Sequence, residues 1–429
     1  MAELINNVLV ISYFFPPLSG PGVQRAYNFV KNLKKSGWNP IVLTVKDIEY
    51  VSHDESLLSD LAEIPVYRTE TLDPMRVLKL WQQLSNKGSR LYQETDERVK
   101  KLGRDIFPID SKIGWLPIAM KKARKICRLN NVKVIFATMS PYSSGILAYL
   151  LSKATGIPYV LDYRDLWQGK PDMSYFSGWH KKLAINWEKK IISEAAAIIH
   201  VTAWSAKRFK EIYPECDPQK VSVIFNGYDA DKFHALPKMK GSDGKIRFTF
   251  AGHFYGGQSP ENFINVLIQM NLESKLNNAE ICFAGNYGSE IEHLFERADF
   301  IKRIPYLSYA EYIDKLIESD VLLLFIASEN SDMILTQKLF DYLAVRRPIL
   351  AIVPENGEAA AIIRKYQAGI ICAAGNHTSI KNGLEKMLEI ILKNEEDKHF
   401  VLKTNNYSEF QRSRQAVQLA ELMRSVINV

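Results

Sequence analysis

Three short segments carry residue types suited to holding a phosphorylated ligand. The first is Tyr13-Phe-Phe-Pro-Pro-Leu-Ser-Gly-Pro-Gly-Val-Gln-Arg25, which follows an apolar run and opens a helical pattern. Gly20 and Gly22 remove Cβ atoms where backbone amides could approach an anion, and the following helix would aim its dipole at the same place. The spacing is not the dinucleotide fingerprint Gly-x-Gly-x-x-Gly, so by itself the loop also reads as a Pro/Gly-rich turn. The second segment is Phe250-Ala-Gly-His-Phe-Tyr-Gly-Gly-Gln-Ser-Pro-Glu-Asn262, again a strand, a glycine loop and a helix. Gly256 and Gly257 suit phosphate approach, Gln258 or Ser259 can cap the helix, and His253 suits either a phosphate contact or a structural hydrogen bond. The third spans Ser331 to Ala344. Thr336–Ala344 reads as a helix with Lys338 in its first turn, where an ammonium opposes the dipole unless an anion sits there too. Asp341 shares the face of Lys338 and could accept hydrogen bonds from ribose hydroxyls; a surface Lys–Asp pair is the plainer alternative.

The elements that must position these loops are legible as short β-rich runs between helical patterns. Val8–Ser12, Pro40–Val45, Val132–Ala137, Tyr159–Asp162, Ala197–Thr202 and Val221–Phe225 are strand candidates in the first half. The pattern resumes with Arg247–Ala251, Glu280–Ala284, Ile301–Ile304, Val321–Ile326, Ile349–Val353 and Gly369–Ile371. Continuously apolar strands separated by helices predict parallel sheets covered on both faces. Two phosphate-type loops, each opening one α/β half, predict two Rossmann-like domains facing each other across a ligand cleft. The boundary falls near 226–246, where Asn226-Gly227 precedes Pro237 and a polar run. The expected domains are therefore residues 1–227 and 228–407, with a last helix in 408–429 packing back on the first. No internal repeat or low-complexity tract is evident.

With 429 residues, 47% apolar and 24% charged, the chain has the composition of a globular protein of two domains. No apolar run reaches the roughly 18 residues of a membrane span, and Met1-Ala-Glu-Leu-Ile-Asn-Asn does not read as a secretion signal. Cys127, Cys216, Cys282 and Cys372 are too far apart for a local zinc or redox pair, which suits a reduced, cytoplasmic compartment. Charge is uneven: residues 76–133 hold 15 Lys and Arg against 5 Asp and Glu in a chain whose net charge is +7. This block, interleaved with Trp81, Tyr92, Phe107 and Trp115, reads either as a solvated helical face or as a surface for anionic lipid or a phosphorylated acceptor. No recognised nucleic-acid module accompanies it, so no nucleic-acid partner is expected.

Taken together, the Pro-Pro-x-x-Gly-Pro-Gly loop, Asp162-Tyr-Arg-Asp-Leu-Trp167, Phe225-Asn-Gly-Tyr-Asp229, Ala251-Gly-His-Phe-Tyr-Gly-Gly257 and Lys338-Leu-Phe-Asp-Tyr-Leu343 resemble a GT-B glycosyltransferase. The similarity is greatest to the retaining family 4 type of bacterial surface-polysaccharide assembly, and it keeps motif order through almost the whole chain. It implies an N-terminal acceptor domain and a C-terminal domain for a UDP- or GDP-linked sugar. Gly20 and Gly22 would face the donor diphosphate from one side, and Gly252–Gln258 with Thr336–Lys338 would hold it from the other. Asp341 would match the second acidic residue of the Glu-x7-Glu motif that binds ribose. Gly285-Asn-Tyr-Gly288, with Tyr287, and Ile304-Pro-Tyr306, with Pro305, would surround the base. Arg164 and Asp165 would line the cleft, Asp165 orienting the acceptor.

Two departures stand out. Met333 occupies the place of the motif's first Glu, with Glu329 and Asp332 out of register. His253 and Gln258 stand where relatives carry Arg and Lys, a loss worth roughly 1.5–3 kcal/mol per charged phosphate contact; Lys338, Arg25, Arg164 or Arg303 are the candidate replacements. Asp229-Ala-Asp231 spells the metal-binding DxD of another glycosyltransferase fold, but here it lies at the domain linker. We therefore expect metal-independent transfer, with no resident cofactor, from a nucleotide sugar to a glycan or polyprenyl-diphosphate-linked acceptor. The enzyme would sit peripherally on the inner face of the cytoplasmic membrane. The alternatives are a catalytically silent nucleotide-sugar- or glycan-binding partner and a GT-B sugar-nucleotide epimerase.

Overall fold

The computed structural model describes residues 6–46, 48, 50, 53–73, 76, 107, 109–169, 175–233, 244–254, 258–326, 331–402 and 406–427. Most of the basic block, the glycines 256 and 257, and Glu329 lie outside the described residues. The chain divides into two compact units, Met1–Phe225 with Arg412–Val429, and Asn226–Gln411; the boundaries read from sequence were 227 and 408.

The first unit runs β1 (Asn6–Ile11), α1 (Pro21–Leu33), β2 (Trp38–Val45), β3 (Val66–Thr69), α2 (Leu116–Asn130), β4 (Val132–Thr138), α3 (Ser143–Thr155), β5 (Tyr159–Tyr163), α4 (Gly178–Glu194), β6 (Ala197–His200), α5 (Ala203–Ile212) and β7 (Val221–Val223). Its seven strands form one parallel sheet in the order β3-β2-β1-β4-β5-β6-β7. The sequence pattern did not reveal β3, an edge strand whose first three residues are only half-buried and therefore lack an apolar run.

The second unit runs β8 (Ile246–Ala251), α6 (Glu261–Leu272), β9 (Ala279–Ala284), α7 (Ser289–Phe295), β10 (Lys302–Ile304), α8 (Tyr309–Ile317), β11 (Val321–Phe325), α9 (Gln337–Val345), β12 (Ile349–Val353), α10 (Glu358–Lys365), β13 (Gly369–Ala373), α11 (His377–Leu392) and α12 (Glu396–His399). Its parallel sheet has the order β10-β9-β8-β11-β12-β13. The strand order reverses beside β1 in the first sheet and beside β8 in the second, and such reversals open a crevice at the strands' carboxyl ends. Both glycine loops leave from those two strands.

A final helix, α13 (Arg412–Ile427), returns to the first unit. Alternation along β1 explains why: Leu9 and Ile11 pack with Ala119, Ile126, Leu147 and Ile191 of α2, α3 and α4. Val8 and Val10 face the other way, against α1 and the Ala416, Leu419, Ala420 and Met423 stripe of α13. The buried Trp38 indole donates to the Ala420 carbonyl at 3.2 Å, which fixes α13 against β2.

Local capping holds the helices elsewhere in the two units. Ser308 and Glu311 form a capping box on α8, and Thr202 accepts from Ser205 N at 2.9 Å at the start of α5. The first turn of α3 has no side-chain cap of its own; the half-buried Asp110 carboxylate accepts from Ser143 N at 2.8 Å, which suits a helix N-terminus. Among the described residues, no helix is long and apolar enough to cross a membrane.

Candidate functional site

In the second unit three loops meet at the carboxyl ends of β8, β9 and β11. Gly252 N donates to Ala284 O at 2.9 Å, and Gly285 N donates to Ile304 O at 3.0 Å. Both glycines have positive φ, +133° and +149°, a region that side-chain-bearing residues rarely adopt. A Cβ on Gly285 would stand 2.3 Å from the Gly252 carbonyl oxygen. One on Gly252 would stand 2.4 Å from Lys338 Cε and 2.8 Å from Nζ. The two loops thus interlock by backbone, and the bare Cα of Gly252 is the floor on which the Lys338 side chain lies.

Lys338 reaches that floor from the first turn of α9, whose N-cap Thr336 makes no side-chain capping bond. Its ammonium donates to His253 O at 3.4 Å and sits 5.2 Å from the centre of the Phe250 ring. Burial pushes its pKa down to about 8, with the nearby Asp341 carboxylate opposing the shift. Asp341 itself is 2% exposed, so the segment is not a surface ion pair. Its oxygens accept from Tyr312 Oη at 3.2 Å and Gln337 Nε2 at 3.0 Å. Gln337 also donates to Gly227 O at 2.9 Å. Tyr312 and Gln337 were not singled out from the sequence. The i,i+4 spacing of Gln337 and Asp341 was the available signal; nothing local announced Tyr312.

The other cations considered for phosphate are engaged. Arg25 lies in a buried pair with Asp162 at 2.7 Å and donates to Ile224 O and Phe225 O, each at 2.9 Å. The buried pair at this strand end is therefore Arg25–Asp162. Arg164 donates to the Met139 carbonyl at 2.9 Å and to the carbonyls of Gly22 and Ser140, and burial holds its pKa below the usual guanidinium value. Arg303 pairs with Glu292 and stacks 5.4 Å from the Phe295 ring. Of the four, Lys338 alone is half-buried with a single long carbonyl contact among the described residues.

Beside this ammonium lies a cavity of about 380 Å³ lined by His253, Phe254, Asn286, Tyr287, Gly288 and Ile291, within the size range of ligand pockets. His253 Nδ1 lies 2.8 Å from the Asn286 carbonyl, so that nitrogen carries the proton and donates. The His253 ring runs near-parallel to Tyr306 at 6.1 Å. Phe254 stacks on Phe250 at 4.5 Å and meets Tyr287 at 5.7 Å. The Tyr287 hydroxyl and the Thr336 hydroxyl are buried with no hydrogen-bond partner among the described residues. Pro305 is exposed next to Tyr306, and Gln258 is half-buried ahead of Ser259, whose hydroxyl accepts from Glu261 N at 3.1 Å. Gly256 and Gly257, between these pieces, fall outside the described residues.

In the first unit, Gly20 has φ +116° with open space where a Cβ would be, and it precedes α1 without a side-chain cap. A Cβ on Gly22 would lie 3.1 Å from Arg164 Nη1. The structure thus joins Gly22 to Arg164, with Tyr50 alongside; Asp165, the next residue, is exposed. Asp229 stands at the N-cap of a single turn, Ala230–Lys232, and Asp231 lies within it. Among the described residues no three His, Cys, Asp or Glu side chains are grouped as metal ligands.

Residues 22–232 match the sequence profile of Glycosyltransferase Family 4. No curated protein matches the chain by sequence. Among solved structures, a glycosyltransferase from Rickettsia africae aligns over 98% of both chains with a TM-score of 0.62 at 14% identity. Sucrose-phosphate synthase from Thermosynechococcus elongatus aligns over 99% of both, with a TM-score of 0.62 at 13% identity. Anabaena HepE, solved with UDP and glucose, aligns over 97% of this chain and 99% of its own, with a TM-score of 0.58 at 14% identity. Fold and profile together place the protein in the class of GT-B glycosyltransferases.

Proposed function

We propose that the protein transfers a sugar from a UDP- or GDP-linked donor to a glycan or polyprenyl-diphosphate-linked acceptor, with retention of anomeric configuration and without a metal or resident cofactor. The reaction would take place at the inner face of the cytoplasmic membrane and serve cell-surface polysaccharide biosynthesis. The observation that carries the donor part is the half-buried Lys338 ammonium, which lies against the Gly252 loop with no ion pair among the described residues while the other candidate cations are engaged. A desolvated cation with unfilled donor capacity is stabilised when a diphosphate arrives. The uncapped start of α9 adds its dipole, and the unpartnered Thr336 hydroxyl is a further donor. The aromatic cavity beside it fits a nucleobase, between Tyr287 and the His253–Tyr306 pair.

In the transfer, the bond between the sugar's anomeric carbon and the diphosphate oxygen breaks, and a bond from that carbon to the acceptor oxygen forms. The acceptor hydroxyl proton passes to the departing phosphate oxygen, so no covalent nucleophile is required. Lys338 and backbone amides stabilise the charge growing on the leaving group. Asp341, buried and held by Tyr312 and Gln337, positions α9 under the ribose. Gly20 and Gly22, Arg164 and Asp165 belong to the acceptor-holding unit, with Asp165 orienting the attacking hydroxyl.

The test is a thermal-shift panel of UDP, GDP and other nucleotides, followed by radiolabelled donor with membrane lipid extract. A cognate nucleotide at 100 times its Kd adds about 2.7 kcal/mol of stability. Labelled lipid product supports transfer; failure of every nucleotide to bind would remove the donor site. Binding without product would fit a silent nucleotide-sugar-binding partner, the reading favoured by Met333 at the place of the expected Glu.

A further inference from the structure

The helices α2, α3 and α4 cover one face of the first sheet, with α3 packed between the other two and buried along most of its length. Together these three helices contain ten Lys and Arg against two glutamates. One of the two, Glu188, is 1% exposed and faces the core, where it is hydrogen-bonded by Tyr163 and Tyr213. The layer therefore holds more positive charge than the net +7 of the whole chain. On α2 the exposed cations are Lys121, Arg124, Lys125 and Arg128, at the i, i+3, i+4, i+7 spacing of one helical face. Among the described residues no carboxylate pairs with them. On α4, Lys182, Lys189 and Lys190 lie on the solvent side, opposite the buried Ala184, Glu188, Ile191 and Ile192.

Large aromatic side chains accompany this charge. At the start of α4, Trp179 is 62% exposed and Phe176, just before it, is 54% exposed. Further along, Trp187 lies under the Lys190 ammonium at 5.3 Å and meets Tyr149 of α3 at 6.2 Å. Exposed aromatic tips among lysines match the chemistry of a membrane interface, where the rings enter the headgroup boundary and the ammonium groups meet lipid phosphates. A protein partner would be expected to cover a less charged patch, since charged side chains are depleted at interface cores. In chain order β5 leads through Arg164 and Asp165 to α4, so the first turn of α4, with Trp179, comes on the side of the strands' carboxyl ends, as those two residues do.

We propose that the outer face of the α2–α4 layer docks on an anionic lipid bilayer, with Trp179 and Phe176 entering the interface. This deepens the membrane part of the function proposed above and rests on it. It assigns attachment to a folded helical face, and it turns the carboxyl-end side of the sheet, where Arg164 and Asp165 follow β5, towards a lipid-carried acceptor.

The experiment is co-sedimentation of the full chain with phosphatidylcholine vesicles containing 0 to 40% phosphatidylglycerol, in low and high salt. Binding rises with the anionic fraction and falls with salt. Each neutralised lysine lowers partitioning about five-fold, so the K121Q/K125Q/K182Q/K190Q variant loses more than a hundred-fold. Bromine-labelled lipid chains quench the fluorescence of the wild type and quench that of Trp179→Phe less. UDP-induced thermal stabilisation of each variant reports on the donor unit separately. If the quadruple variant partitions like the wild type, the docking face is wrong while membrane attachment stands. If the wild type ignores lipid charge, or prefers polynucleotide to vesicles at equal salt, both the docking face and the membrane reading fall. The sugar-transfer reading survives either result if labelled product still forms.

Discussion

A half-buried lysine with no carboxylate partner among the described residues loses its charge closer to neutral pH than an exposed one does. For Lys338 the depressed pKa of about 8 means that the ammonium is intact below pH 8 and is lost as pH rises through that value. We therefore expect UDP affinity to fall between pH 7 and pH 9, with uptake of a proton on binding near pH 8. Calorimetry in buffers of different ionisation heat checks this, and Lys338→Met should abolish the dependence. Lys338→Ala should weaken UDP binding by about 10- to 150-fold, corresponding to roughly 1.5–3 kcal/mol for a charge-assisted contact. Its circular dichroism spectrum should be unchanged. A second residue-scale prediction concerns His200, fully buried, with no hydrogen-bond partner for either ring nitrogen among the described residues, stacked on Tyr163 and packed against Phe209. Burial pushes its pKa down to about 3. The folded state keeps the ring neutral while the unfolded chain takes up a proton below about 6.5, so stability at neutral pH is lost as pH falls from 6.5 towards 3. His200→Phe should flatten that acid limb in denaturant titrations.

At the scale of elements, the site depends on two loops that touch through backbone. Gly252→Ala puts a methyl group where the Lys338 stem lies and forces an L-residue to φ +133°. The flexible lysine is the part that yields, so UDP binding should weaken about as much as in Lys338→Ala. The double variant should be little worse than either single one, a non-additivity that a double-mutant cycle measures directly. Independent, additive losses would show that Lys338 and Gly252 act separately. Gly285→Ala is harsher, because its Cβ meets the Gly252 carbonyl and neither backbone atom can swing away.

For the whole molecule, the last sixteen-residue helix belongs to the unit where the chain began. Leu419 is fully buried there against the β1 face that carries Val8 and Val10. Leu419→Ala should lower the stability of that unit by about 2–5 kcal/mol through the cavity it leaves. The change is remote from the Lys338 loop in sequence and lies in the other unit, so UDP affinity should stay within two-fold. Urea titration and calorimetry on the same variant test both halves of the prediction.

The sequence by itself determined the alternating α/β order, because long apolar strands and amphipathic helices write their periods locally into the chain. It also determined that glycine loops leave the first strand of each sheet, since a loop's composition is read from neighbouring residues. The short edge strand β3, with its half-buried Val66-Tyr-Arg68, lacked that signal. Only the tertiary structure decided which cation remains for an anion. Arg25 and Asp162 are 137 positions apart, and Tyr312 reaches Asp341 across 29; neither pairing follows from any local period. Whether a side chain is engaged or left over depends on every group that long-range packing brings to it, and that property belongs to the folded chain.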